Sequence, residues 1–225
     1  MNSANVLNAS NLTIAYNKEI VINNVNFSAY EGDFIFITGK SGSGKTTLLK
    51  SFFGEISDFD GNLHVLFKNM HNINNVELLK LRRKLGIIFQ DYKLINELNV
   101  IENIALPLRI AGYKNEQIMN QVDILLKYIK LQHKAKKMPL ELSGGEQQRI
   151  ALARAIIHNP KIIICDEPTG NLDSHSADII WQILNNGARN TFNSCIIVAT
   201  HQIPKKIDFS YRHFQLESGE LHEFA

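Results

Sequence analysis

The chain has 225 residues, of which 44% are hydrophobic and 20% charged, enough for one large domain or two small ones with a substantial core. Its 24 basic and 22 acidic side chains leave a formal net charge of +2, without the strong basic excess of a nucleic-acid binder. The basic runs Arg82-Arg83-Lys84 and 134–137 are short and read as solvated helix faces or loops. Cys165 and Cys195 sit in apolar strand-like runs without metal-ligand spacing, so a buried, reduced role is expected. The opening segment lacks the apolar core of a secretory signal. The longest apolar run, Cys195 to Ala199, falls far short of the roughly 20 residues that span a bilayer. A soluble, cytoplasmic protein is expected, one that another chain must hold at any membrane where it works.

In chain order, Leu12, Ile14 and Tyr16 share one face at a period of two. Val25, Phe27 and Ala29 do the same against Asn24, Asn26 and Ser28, so the pattern predicts a half-buried antiparallel sheet. Phe34 to Ile37, Ile162 to Cys165 and Cys195 to Ala199 are apolar on both faces and predict parallel strands covered by helices. Between them, Ile118, Val122, Leu125 (or Leu126) and Ile129 recur at helical spacing. A second helix is expected from near Gly145 through Ile150, Ala153 and Ile157, stopping before Pro160. A third is expected with Ser174 as its cap, burying Ala177, Ile180 and Leu184. The expected architecture is α/β: a parallel core sheet with an attached antiparallel sheet over 1–90 and 159–225, and a helical insert at about 91–158.

Gly39-Lys40-Ser41-Gly42-Ser43-Gly44-Lys45-Thr46 matches G-x-x-x-x-G-K-[ST] between an apolar strand and a helix, with Thr47 beside it. Glycines let backbone N–H groups turn inward around phosphates, and the helix N-terminus adds partial positive charge. Lys45 is expected to reach the β- and γ-phosphates of ATP, and the Thr46 hydroxyl to ligate Mg²⁺. Asp166 and Glu167 follow the strand at 162–165, at the carboxyl end where α/β sheets place ligands. Asp166 is the expected Mg²⁺ carboxylate. Glu167, one residue further out, is placed to orient or deprotonate an attacking water. Ser143 followed by Gly144 and Gly145 opens a second anion-ready helix start, without a lysine or metal ligand of its own.

Leu142-Ser143-Gly144-Gly145-Glu146-Gln147-Gln148-Arg149 resembles the signature motif of the ATP-binding cassette (ABC) ATPases, and the resemblance extends from about Val6 to Leu221. It implies a head-to-tail homodimer in which Ser143, Gly144 and Gly145 of one copy close over nucleotide held by the other, with Asp173 linking the two sites. It also implies that Tyr16 stacks on adenine, with packing in the antiparallel sheet as the alternative. Gln90 would contact Mg²⁺ and communicate with a membrane partner, and His201 would contact the γ-phosphate. Glu167-Pro168-Thr169-Gly170-Asn171-Leu172-Asp173 is similar to a branch containing FtsE-, LolD- and MacB-type ATPases. Residues 81–91, 101–108 and 216–222 are most similar to the FtsE type. That implies a cytoplasmic-face ATPase with an FtsX-type membrane partner, controlling cell-wall hydrolysis in division. A LolD/MacB-type lipoprotein-release or export role is the alternative, and action on ribosomes or nucleic acid is a remoter one. Three positions depart from the family pattern: Cys165 replaces a small or aliphatic residue, Thr46 the commoner Ser, and Gln202 the Asp that usually follows the histidine.

Overall fold

The computed structural model describes residues 3–170 and 172–224, so Asn171 of the segment quoted above lies outside the described residues. The chain runs β1 (Asn5–Tyr16), β2 (Glu19–Tyr30), β3 (Phe34–Thr38), α1 (Lys45–Phe52), β4 (Asp60–Val65), β5 (Lys68–Asn69), α2 (Asn75–Arg82) and β6 (Leu85–Ile88). It continues through α3 (Val100–Ile110), α4 (Asn115–Tyr128), α5 (Gly144–Ile156), β7 (Ile162–Asp166), α6 (Ser174–Gln182), β8 (Cys195–Thr200), β9 (Arg212–Glu217) and β10 (Glu220–Phe224). After α6 the helix widens to π geometry over Ile183–Arg189 before a last turn at Asn190–Phe192.

Two sheets form. One is antiparallel, in the order β2-β1-β4-β5. The other runs β10-β9-β3-β8-β7-β6, parallel except for the β9–β10 hairpin at its edge. Side chains alternate across a strand, and here the alternation divides the core in two. Ile35, Ile37, Ile162, Ile164 and Ile197 join α1 and the antiparallel sheet in one cluster. Phe34, Phe36, Ile163, Cys165, Ile196 and Val198 join α3, α4, α5 and α6 in the other. Strands apolar on both faces are the consequence of a sheet covered on both sides. Each fully buried Ile or Phe contributes about 1.5–3 kcal/mol, so this central layer dominates the hydrophobic term.

The helices follow their sequence signals, apart from details in α6, and α4 chooses between the two leucines. In α4 it is Leu126, not Leu125, that is buried with Ile118 and Val122. The cap of α6 is Asp173 rather than Ser174: its carboxylate accepts the Ser176 N–H at 3.0 Å and the Ser176 hydroxyl at 2.7 Å. A carboxylate accepts more strongly at the positive helix end than the neighbouring hydroxyl does, so the helix begins one residue earlier, at Ser174. Ala177 is half-buried, and Trp181 fills the buried position instead. The two cysteines are free and buried, and burial pushes both thiols above their usual range, as an inert core role requires.

Candidate active site

The loop between β3 and α1 is shaped by two glycines with different duties. Gly44 stands at φ 100°, a left-handed conformation that starts α1. Gly39 is a matter of space: a Cβ there would lie 2.4 Å from the Leu216 carbonyl oxygen on β9. Helices α2, α3, α5 and α6 have side-chain caps from Asn74, Asn99, Ser143 and Asp173, whereas α1 has none and carries no acidic residue in its first turn. Its orphan N–H groups therefore face the loop, a ready seat for anionic oxygens.

Lys45 is only 6% exposed, and its ammonium donates to the Gly39 and Lys40 carbonyls at 2.8 and 3.1 Å. Among the described residues no carboxylate pairs with it within 4.0 Å, and the Ser43 hydroxyl beside it is buried without a hydrogen-bond partner. A buried cation without a counter-charge is costly, and an anion in the loop removes the cost. The phosphates of ATP fit this requirement.

A cleft of about 240 Å³ opens over the loop, lined by Ser41, Gly42, Gly44 to Thr47, Gln90, Asp166, Glu167, His201 and Val21. The Thr46 hydroxyl donates to Asp166 Oδ2 at 2.8 Å, so two oxygen donors for a hard cation are already together. Glu167 has a left-handed backbone, φ 47°, pinned by its N–H to the Ala199 carbonyl at 2.9 Å. This strained turn bends the chain after β7 and aims the carboxylate inward, leaving it 8% exposed. Its Oε1 lies 3.2 Å from His201 Nε2 but has no aligned hydrogen bond among the described residues, so a buried acceptor faces the cleft unused.

Tyr16 ends β1 at 47% exposure and does not line the cleft. Ser143 Oγ accepts the Glu146 N–H at 3.3 Å, while Glu146 Oε2 accepts the Ser143 N–H at 2.8 Å. The ring of the cleft contains none of Ser143, Gly144, Gly145 or Asp173. Neither Gly144 nor Gly145 has positive φ, and an added Cβ would meet only side-chain atoms, at 3.5 and 3.3 Å respectively. Among the described residues nothing requires glycine at 144, and at 145 only the Ser176 hydroxyl would have to give by a few tenths of an ångström.

Two contributors had no local signal in the sequence. Val21 on β2 forms one wall of the cleft beside Gly44. Arg154 on α5 donates to the Tyr92 and Lys93 carbonyls at 2.9 and 2.8 Å and so holds the turn just beyond Gln90, where both residues are left-handed.

A family model described as ABC transporter matches residues 22–170. The cell division ATP-binding protein FtsE of Streptococcus pneumoniae is 39% identical over 206 residues, covering 91% of this chain and 88% of that protein. The methionine import ATP-binding protein MetN of Clostridium tetani is 38% identical over 183 residues, 81% of this chain and 57% of the relative. The dimeric structure of MJ0796, a bacterial ABC transporter cassette, superposes with a TM-score of 0.86 at 36% identity, covering 96% of both chains. A dimeric post-hydrolysis form of MJ0796 bound to ADP and phosphate superposes at 0.84 with 33% identity, covering 97% of both.

Proposed function

The chain belongs to the ABC transporter family and is an ATPase of it; from that premise we propose that ATP held by Gly39 to Thr47 of one copy is closed over by Ser143, Gly144 and Gly145 of a second, head-to-tail copy. The observation that carries this reading is the pair of glycines at the start of α5. Among the described residues no backbone atom or positive φ demands them, yet a phosphate approaching the α5 backbone from another chain does. Asp173, capping α6 close to Gly145 through Ser176, then stands at the joint between the two sites.

Within each site, Lys45 holds the β- and γ-phosphates and Tyr16, exposed at the end of β1, stacks on adenine. Thr46, Asp166 and Gln90 hold Mg²⁺, which when bound neutralises charge on the phosphate oxygens. Glu167 Oε1 takes the proton of the attacking water, and His201 contacts the γ-phosphate. The helical insert at about 91–158 then transmits the change. Gln90 lines the cleft three residues after Ile87, which with Leu79, Gly86, Leu106, Pro107, Ile110 and His158 lines an apolar groove of about 340 Å³. That groove seats a membrane partner.

No helix among the described residues is long and apolar enough to cross a membrane, and the membrane-spanning part is assigned to a separate protein. Similarity to FtsE over most of both chains supports an FtsX-type partner, a place at the cytoplasmic face of the cell membrane, and control of cell-wall hydrolysis. The near-equal identity to a methionine import ATPase favours a second reading, an ATPase driving transport. Purification of the chain from its native membrane separates the two: an FtsX-type protein is the expected companion, and a transport or lipoprotein-release permease in its place overturns the division role. For the dimer itself, Glu167→Gln should bind ATP and shift from monomer to dimer by light scattering. A variant that stays monomeric with ATP bound contradicts the closed-dimer reading.

A further inference from the structure

The β4–β5 hairpin turns on Leu66 and Phe67, both left-handed at φ 46° and 65°. Such a two-residue turn ordinarily takes Asn-Gly or Asp-Gly, because bulky side chains at positive φ are strained. Leu66 recovers something by packing against the core of the antiparallel sheet. Phe67 does not: its ring is 79% exposed at the tip. Among the described residues no contact accounts for an aromatic residue held in strain against water, which directs attention outside the chain.

The surroundings say what it meets. Lys68 Nζ, next to the tip, is tied to Glu77 Oε1 of α2 at 2.7 Å, so hairpin and helix present one surface. On α2 and its C-cap, Val76 pairs with Leu79 and Lys80, and both of these with Arg83, at spacings of three or four, and all four are exposed. A cleft of about 450 Å³ between tip and helix is lined by Leu66, Lys68, Glu77, Lys80, Arg83 and Lys84. Among the described residues no carboxylate pairs with Lys80, Arg83 or Lys84, and Glu77 already neutralises Lys68. The patch is thus apolar at its tip, cationic around it, and continuous through Leu79 with the groove assigned above to the membrane partner.

We propose that Phe67 and the outward face of α2 rest on the anionic headgroup surface of the membrane, Phe67 entering the interfacial layer while Lys80, Arg83 and Lys84 engage lipid phosphates. An aromatic tip ringed by lysine and arginine is the chemistry of interfacial binding, each cation near the surface contributing about five-fold in partitioning. The proposal rests on the membrane setting of the preceding section, and a lipid-only assay tests it without the partner protein.

The assay is co-sedimentation of the full chain with phosphatidylglycerol–phosphatidylcholine vesicles against phosphatidylcholine alone. The anionic vesicles should bind more strongly and lose the advantage as salt rises. Lys80→Gln with Lys84→Gln should reduce binding about 25-fold, from two factors of about five. Phe67→Gly should reduce it about 10-fold. It should also keep its ATP affinity and keep or slightly raise its melting temperature, because glycine relieves the left-handed turn. A merely structural role for Phe67 would move stability down instead. Equal binding to both vesicle types, or retained binding by the variants, overturns the proposal. Binding seen only when the membrane partner is reconstituted overturns it too, and gives the surface to that protein.

Discussion

Arg154 offers the sharpest test of how the site is held together. Its guanidinium links α5, the helix opened by Ser143, to the turn behind Gln90, through the Tyr92 and Lys93 carbonyls and a longer contact of 3.4 Å to Asn103 Oδ1. Burial, without a carboxylate partner, pushes its pKa down, so the site bears a desolvation cost that the two carbonyls offset. In Arg154→Met those two bonds are lost, each worth about 1.5–3 kcal/mol to a charged donor, or about 3–6 kcal/mol gross. Releasing the guanidinium to water in the unfolded reference no longer matters, which returns about 1–2 kcal/mol. The net loss is about 2–4 kcal/mol, a fall in melting temperature of roughly 5–15 °C for a chain of this size. Because Tyr92 and Lys93 are strained at φ 63° and 46°, the turn should relax once released, and its amides should exchange at least about 30-fold faster. ATP affinity should hold, since the Gly39 to Thr47 loop is untouched, while turnover falls with the misplacement of Gln90. Arg154→Lys, reaching one carbonyl at best, should recover less than half. Unchanged exchange at residues 90–93, or ATP binding lost in step with stability, would refute the reasoning.

Ser143→Arg should leave ATP binding by the single chain intact and abolish hydrolysis; turnover persisting in equilibrium with monomer would remove the head-to-tail dimer. Gly39→Ala drives a Cβ against the Leu216 carbonyl and should cost about 1–3 kcal/mol in chemical denaturation while weakening ATP binding. Burial holds the His158 imidazole below its ordinary pKa despite its contact to the Leu85 carbonyl at 3.1 Å, and burial lowers His213 as well. The unfolded chain therefore takes up protons first as pH falls through about 6.5, so stability is full above that pH and declines below it. His158→Gln should flatten part of that decline in urea titrations, leaving the part due to His213; an unaltered slope would exclude His158 as its source.

The phosphate loop was legible because its eight residues are contiguous, and the glycine and lysine types it demands are fixed by local backbone geometry. The central strands were legible for a related reason. A strand apolar on both faces, such as Ile162 to Cys165, has few homes other than a sheet covered on both sides. The cap of α6 was misplaced by one residue because Asp173 and Ser174 both carry capping chemistry. Only the positions of the backbone N–H groups choose between them. Composition alone also made Arg82-Arg83-Lys84 look like one solvated run. In the fold Arg82 turns inward to the Phe53 and Gly54 carbonyls, while Arg83 and Lys84 stay exposed beside the hairpin tip.

By itself, then, the sequence determined the nucleotide loop, the acidic strand end at Asp166 and Glu167, and the layered α/β class, all written in residues adjacent in the chain. Tertiary structure alone decided that Glu167 is buried with an unused oxygen, that Arg154 grips a turn 61 and 62 residues before it, and that Leu66 and Phe67 are held left-handed beside α2. Those features depend on which surfaces meet when the two sheets and their helices pack. That meeting is set by the summed burial of the core and not by any short run of residues.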